Sequence, residues 1–166
     1  MSVPSALAAQ PAVEGAFVFG EYNVAATVCG GPAGSPRAGE HGVAVGRFAW
    51  MDAAGITLNV RGSAQDLRGI ALPQVGPGVD WRVMFYDDVT NTFRIRQGLP
   101  LSLLSKGNVW VRFPGGAVVG SPVYANVLDG SAISGYSVAG ELTPWSVITP
   151  ASPGQLAIIS TESRFQ

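Results

Sequence analysis

The chain has few of the side chains on which enzymes and metal sites depend. Its 166 residues include one cysteine, Cys29, and one histidine, His41. A single cysteine excludes an intrachain disulfide and a cysteine-based metal cluster, and a zinc site needs three or four ligands. His41 stands in a glycine-rich segment, and no serine lies in a G-x-S-x-G elbow. We therefore expect no catalytic residue, no metal ion and no cofactor.

Charge is scarce as well. Charged residues make up 13% of the chain and the net charge is −1, which gives no electrostatic reason to expect nucleic acid or an anionic membrane as a partner. No apolar run approaches the ~20 residues that cross a bilayer, and residues 1–15 lack the basic region of a signal peptide. The sequence predicts a protein made in the cytoplasm whose weakly charged surface is largely covered by partners.

Glycine and proline, by contrast, are abundant, at 22 and 12 residues, which favours many short strands and turns. In residues 108–113, Val109, Val111 and Phe113 alternate with Trp110 and Arg112, as in a half-buried strand. A turn at residues 114–116 and a second alternating strand through Val123 and Ala125 follow. About ten to twelve short strands and no convincing helix predict an all-β fold, of the sandwich or barrel kind.

Several local interpretations follow from turn and strand patterns. Residues 81–86 and 92–96 form a predicted hairpin in which Trp81, Val83 and Phe85 face Phe93 and Ile95. Residues 142–153, with three prolines, are expected to be interrupted, and residues 63–68 could form one helical turn. Asp129-Gly130 predicts a tight turn, because Gly readily takes a positive φ.

The chain divides into an N-terminal part, residues 1–42, and a main β domain, residues 43–166. The N-terminal part contains an extended arm over residues 1–14, short strands, and a glycine- and proline-rich loop over residues 30–42. An arm of this composition is expected to be mobile when free. A long loop of this kind is usually functional or bound to a partner.

Four segments together carry a family resemblance: VGRFAW at 45–50, LPLSLLSKGNVWVRF at 99–113, GSPVYANVLDG at 120–130 and TPASPGQLAIIST at 149–161. They resemble the capsid cement (decoration) proteins of tailed bacteriophages. The resemblance implies a jelly-roll-like sandwich or barrel of short antiparallel strands with an extended N-terminal arm. It also implies a non-enzymatic protein on the outer surface of the virion, which clamps neighbouring major capsid protein subunits of the expanded shell. It would act as a symmetric oligomer, a homotrimer or a dimer, without a cofactor.

Candidate interface residues come from three places. The arm offers Val3, Pro4 and Leu7, and the loop offers Pro32 and Arg37. The predicted hairpin leaves Arg82, Arg94 and Arg96 together on one face, which is either a solvated face or a docking surface for an acidic protein lattice.

An alternative function is a carbohydrate- or receptor-binding β-sandwich module of a virion. Trp81, Tyr86 and Asp87 would then supply the aromatic and acidic side chains that face the ligand. Binding to a glycan array would favour this alternative over a cement protein.

Overall fold

The structure, a computed structural model, describes residues 14–16, 27–28, 36–62, 66–72 and 84–162. These residues form strands and turns and contain no helix, which confirms the all-β class. The strands are β1 (Thr27–Val28), β2 (Arg37–Ala38), β3 (Val43–Ala44), β4 (Phe48–Met51), β5 (Ile56–Leu58), β6 (Asp66–Ala71), β7 (Met84–Asp87), β8 (Thr92–Ile95), β9 (Leu103–Lys106), β10 (Asn108–Phe113), β11 (Pro122–Asn126), β12 (Ala132–Ser134), β13 (Gly140–Val147) and β14 (Gln155–Ser160).

The strands form three sheets. A six-stranded sheet has the order β1-β9-β6-β4-β5-β2, a five-stranded sheet has the order β10-β14-β13-β11-β12, and β3-β8-β7 form a third. The pairs are antiparallel except β2 and β5, which run parallel. The expectation of antiparallel strands is wrong for this pair, because β2 pairs with the open edge of β5 beyond the β4–β5 hairpin. The jelly-roll connectivity stays a prediction.

The main core lies between the six-stranded and five-stranded sheets. Phe48, Trp50 and Ile70 from the first sheet pack with Phe113 and Trp145 from the second, and all are buried. Burial of each such side chain contributes roughly 1.5–3 kcal/mol. In β10 the inward residues are buried while Arg112 is exposed, so the predicted alternation is confirmed.

A second apolar cluster attaches the three-stranded sheet to the six-stranded one. Val43 of β3 and Ile95 of β8 are fully buried against Leu103 of β9 and Ala71 of β6. The hairpin β7–β8 is therefore fixed to the body through β8, and it presents its remaining surface outward.

The prediction that residues 142–153 are interrupted is confirmed after Val147, where β13 ends, but it is wrong at Pro144, which lies inside β13. The register of β13 against β11 shifts between the Pro122 and Tyr124 pairs, and Pro144 lies within that irregularity. Proline lacks an N–H to donate and is tolerated in a strand where the ladder is interrupted. The suggested helical turn at 63–68 is also wrong from Asp66 onward, since β6 begins there.

The β7–β8 hairpin has a different register from the one predicted. Phe85 pairs with Arg94, and Tyr86 pairs with Phe93. Directly paired residues of antiparallel strands point to the same side, so Phe85 shares its face with Arg94 and not with Phe93. The predicted partners Trp81 and Val83 lie outside the described residues.

Candidate docking surfaces

The arginine pocket is a shallow hollow of about 590 Å³ beside the β7–β8 hairpin. Its lining includes His41, Phe85, Asp87, Arg94 and Arg96. The Arg96 guanidinium lies 5.1 Å from the centre of the Phe85 ring, a cation–π distance. The structure thus brings Arg94 and Arg96 together as the sequence predicts.

Arg94 is held by the fold. Its Nε donates to Asp87 Oδ2 at 3.0 Å and its Nη1 donates to the His41 carbonyl at 3.3 Å. Only 18% of its side chain is exposed. Arg94 therefore mainly fixes the loop at 41–42 to the hairpin, and Arg96 is the more accessible cation of this pocket.

The pKa of Asp87 lies below its usual value. The Thr90 side chain lowers it most. Burial, the next largest effect, raises it, and the Val89 amide and the Arg94 guanidinium lower it further. The Val89 N–H donates to Asp87 Oδ1 at 3.0 Å. Asp87 is consequently committed to the hairpin turn, which is the role expected of an aspartate there.

Arg37 reaches the neighbourhood of this pocket through backbone pairing. The Gly98 N–H donates to the Ala38 carbonyl at 2.8 Å, and the Leu101 N–H donates to the Pro36 carbonyl at 3.0 Å. Arg37 itself is exposed. Residues 36–38 of the predicted loop are thus tied to the segment that follows Arg96, and only the part of the loop from Pro36 onward is described.

The other predicted interface residues lie outside the described residues. They are Val3, Pro4, Leu7, Pro32 and Arg82. Their roles stay predictions.

The N-terminal anchor, Glu14–Ala16, pairs with the outer edge of β10. The Gly15 N–H donates to the Trp110 carbonyl at 2.8 Å, and the Trp110 N–H donates to the Ala16 carbonyl at 3.1 Å. This pattern, with Gly15 at φ 80°, is a glycine bulge. A Cβ on Gly15 would lie 3.0 Å from the Gly46 nitrogen, so both glycines permit this close backbone approach.

Glu14 is the charged part of this anchor. Its carboxylate lies 3.5 Å from Arg112 Nε and is only 15% exposed. Burial raises the pKa of Glu14 above 4.5, although Arg112 and Arg47 oppose the shift. Arg112 also donates to the Gly154 carbonyl at 2.6 Å, so one arginine joins the N-terminal anchor to the turn before β14.

A large uncharged surface lies on the outer side of the five-stranded sheet. One row across β12, β11 and β13 consists of Ile133, Tyr124 and Leu142, because Ile133 and Leu142 both pair directly with Tyr124. The Tyr136 ring meets the Tyr124 ring edge to face at 5.8 Å. Tyr136 is 78% exposed and Leu142 60%. We call this set, with the exposed Pro144, the tyrosine face.

Sequence reasoning missed the tyrosine face. A signal was present, since residues 114–154 contain only two charged side chains, Asp129 and Glu141. Both are engaged: Asp129 lies 3.8 Å from Arg47, and Glu141 accepts a 2.9 Å hydrogen bond from the buried Trp50 indole. Large exposed apolar patches commonly mark interaction sites.

The similarity of the chain to known proteins agrees with this geometry. The family described as "Structural cement protein (E217 gp24/Pam3 gp6)" matches residues 6–162. The chain belongs to this family. Membership confirms the resemblance, the structural and non-enzymatic role, and the predicted location on the phage virion.

The cement protein also resembles a solved chain. A chain of "The capsid of Myoviridae Phage XM1" superposes with a TM-score of 0.60 at 19% sequence identity, and the match covers 100% of both chains. At that identity the likeness supports the fold alone. No curated protein matches the chain.

Three further predictions bear on chemistry and ligands. Within the described ranges, no three His, Cys, Asp or Glu residues cluster as metal ligands, and no helix is long and apolar enough to cross a membrane. His41 is exposed with φ 68°, 3.7 Å from Glu40. For the glycan alternative, Trp81 lies outside the described residues, and the Tyr86 hydroxyl is within 3.2 Å of Asn91 Oδ1 in its own turn.

Proposed function

We propose that this cement protein binds the outer surface of an icosahedral phage capsid and clamps neighbouring major capsid protein subunits, stabilising the expanded shell. The observation that carries the proposal is membership of the structural cement protein family over residues 6–162. The weakly charged surface, with exposed aromatic and aliphatic side chains, supports it because such surfaces become stable when a partner covers them.

The physical basis of the stabilisation is mass action. A protein that binds only the expanded shell stabilises that shell by about 2.7 kcal/mol per site at a hundredfold excess over its dissociation constant. A symmetric oligomer that bridges several subunits gains avidity without new kinds of contact. We propose a homotrimer as the bridging unit, with a dimer as the alternative.

Two parts of the chain are proposed to make the contacts. The N-terminal part, residues 1–42, extends to neighbouring subunits through Val3, Pro4, Leu7 and Pro32. Arg37, Arg82 and Arg96 meet acidic side chains of the shell, while Arg94 supports them by holding the hairpin in place. The main β domain, residues 43–166, provides the rigid body.

Cosedimentation with phage shells tests the proposal. The full chain is mixed with expanded and unexpanded shells, and its free mass is measured by light scattering. We expect binding to expanded shells only, and a free mass three times that of the 17.1 kDa chain. Equal binding to both shells would contradict the clamp, and a mass of one chain would contradict the oligomer.

A further inference from the structure

The tyrosine face is an apolar surface that the described fold leaves open. Its central row spans three strands, and the ring of Tyr136 stands beyond the sheet with 78% of the residue exposed. Val138, two residues further along, is 90% exposed. A surface of this kind lowers its free energy when an apolar partner removes it from water.

The chemistry of the face restricts the partner. The two carboxylates nearest to it are bound to Arg47 and to the Trp50 and Arg61 side chains, so the face itself offers no charge. A charged partner would lose hydration there without gaining an ion pair. Exposed tyrosine pairs instead suit uncharged segments that contain proline, because proline-rich segments dock on aromatic-lined surfaces.

This chain carries such a segment. Residues 1–13, MSVPSALAAQPAV, contain no charged side chain and include Pro4, Pro11 and three larger aliphatic residues. The segment joins the body at Glu14, on the outer edge of β10. We propose that its distal half, around Val3, Pro4 and Leu7, docks on the tyrosine face of this protein.

The distances allow this docking. Strands of a sheet lie about 4.8 Å apart, so the three steps from β10 to β11 cover about 14 Å along the sheet. Thirteen extended residues span up to about 43 Å, which is enough to reach the face of the same copy or of an adjacent one. The interaction needs no capsid and is tested on the free protein, so its failure is distinguishable from a failure of shell binding. Docking on an adjacent copy would be one form of the inter-subunit contact proposed above for Val3, Pro4 and Leu7.

A groove elsewhere on the described surface is the alternative binding site for the N-terminal segment. This groove of about 300 Å³ beside Glu14 is lined by Tyr86, Phe93 and Leu156, and the two rings there also meet edge to face, at 5.3 Å. Its floor holds the charged Glu14–Arg112 pair, however, so its apolar area is interrupted. The Tyr86–Phe93 pair therefore provides a matched control for the Tyr124–Tyr136 pair.

Disulfide trapping in the full chain tests the proposal. Cys29 is replaced by serine, and Ser5→Cys is combined either with Ser137→Cys, beside Tyr136, or with Asp88→Cys, on the turn beside the control pair. After mild oxidation we expect about tenfold or more disulfide from S5C/S137C than from S5C/D88C, because docking raises the local thiol concentration. Mobility in a non-reducing gel identifies the copy that supplies the segment, and either copy supports the proposal.

Removal of the rings provides the second measurement. In the S5C/S137C background, Tyr124→Ser with Tyr136→Ser should reduce the disulfide yield several-fold, whereas Tyr86→Ser with Phe93→Ser should leave it unchanged. Equal yields from the two cysteine pairs, or a yield that survives loss of Tyr124 and Tyr136, would overturn the proposal. Thermal unfolding verifies that each variant is folded, and if the tyrosine variant fails to fold, the comparison of the two cysteine pairs still decides.

Discussion

At the scale of single residues, two buried asparagines differ in whether their side-chain amides are hydrogen-bonded. Both polar atoms of the Asn59 side chain are paired, since its Oδ1 accepts from the Ala44 N–H at 2.6 Å and its Nδ2 donates to the Phe48 carbonyl at 3.0 Å. Asn108 is 2% exposed, and neither its Oδ1 nor its Nδ2 has a hydrogen-bond partner among the residues that the structure describes. Burial without a partner costs free energy that folding must offset elsewhere.

This contrast predicts opposite effects of one substitution. Asn108→Val removes an unpaired buried amide from a strand and should increase the free energy of unfolding by about 1–3 kcal/mol. Asn59→Val leaves the Ala44 N–H and the Phe48 carbonyl unpaired and should decrease it by about 1–3 kcal/mol for each group. Urea unfolding measures both variants, and a loss of stability in Asn108→Val would contradict the interpretation.

The Glu14 carboxyl predicts the sign of a pH dependence. Its pKa is raised above 4.5 in the folded protein, chiefly by burial, so the folded state binds the proton more tightly than the unfolded state. The contribution of Glu14 to stability is then fully present below pH 4.5 and is lost as the pH rises through the raised pKa. Glu14→Gln should remove this slope in a series of urea titrations.

Asp87 provides the opposite control in the same series. Its lowered pKa means that its contribution is present above pH 3.8 and is lost as the pH falls through the lowered value. Asp87→Asn should flatten the acid side of the profile and leave the Glu14 slope unchanged. If Glu14→Gln altered only the acid side, the assignment of the raised pKa to burial at the anchor would be wrong.

At the scale of strands and turns, the sequence predicts what depends on neighbouring residues. The alternation of β10 and the turn at Asp129-Gly130 are local patterns, and both are present: Gly130 has φ 73°, and the Asp129 carboxylate accepts from the Ser131 N–H at 2.9 Å. The continuation of β13 through Pro144 was not predicted, because proline is tolerated in a strand where the pairing is irregular. The irregular pairing of β13 with β11 cannot be read from the local sequence.

The register of the strands and their contacts with remote strands could not be predicted from the local sequence either. The parallel β2–β5 pair depends on which sheet edge is free, and the tyrosine face depends on which side of β11 faces the core. The anchor at Gly15 needs a glycine at position 46, and no local sequence pattern connects these two positions. The arginine pair was predicted, but its partner Phe85 was assigned to the wrong face because the hairpin register is set by the turn.

The Asp129-Gly130 turn yields a prediction at this scale. A Cβ on Gly130 would meet the Phe48 carbonyl, and the residue has a positive φ. Gly130→Ala should therefore lower the free energy of unfolding by more than the roughly 1–2 kcal/mol that positive φ alone costs an L-residue.

Gly98→Ala is the matched control, since Gly98 has φ 83° and an added Cβ there would meet no atom of the other described residues within 4 Å. It should show only the conformational cost. Urea unfolding compares the two variants, and equal losses would mean that the close approach to Phe48 has no energetic consequence.

At the scale of the whole molecule, the three sheets carry exposed arginines on different segments. Arg37 and Arg96 lie on segments joined by the backbone hydrogen bonds of residues 36–38 with 98–101. Arg68, on β6, is also exposed, and it pairs with Asp66 at 3.8 Å. These three arginines allow a test of the proposed contact with an acidic shell.

Charge reversal distinguishes a docking surface from a solvated one. Arg96→Glu and Arg37→Glu should each weaken cosedimentation with expanded shells about tenfold or more, because like charges oppose each other at the contact. Arg68→Glu introduces the same change of charge elsewhere and should leave binding unaltered. Equal effects of all three would indicate a general influence of net charge and would exclude a specific arginine contact.

The uncharged character of the tyrosine face determines how any contact made there responds to its surroundings. Ions screen attractions between charges but leave apolar association largely intact, and strongly excluded salts even strengthen it. Chilling has the reverse effect, because the driving force for covering apolar surface fades as water is cooled. A contact made on this face would therefore persist at low and high salt concentration alike. Cooling is the condition that would weaken it first.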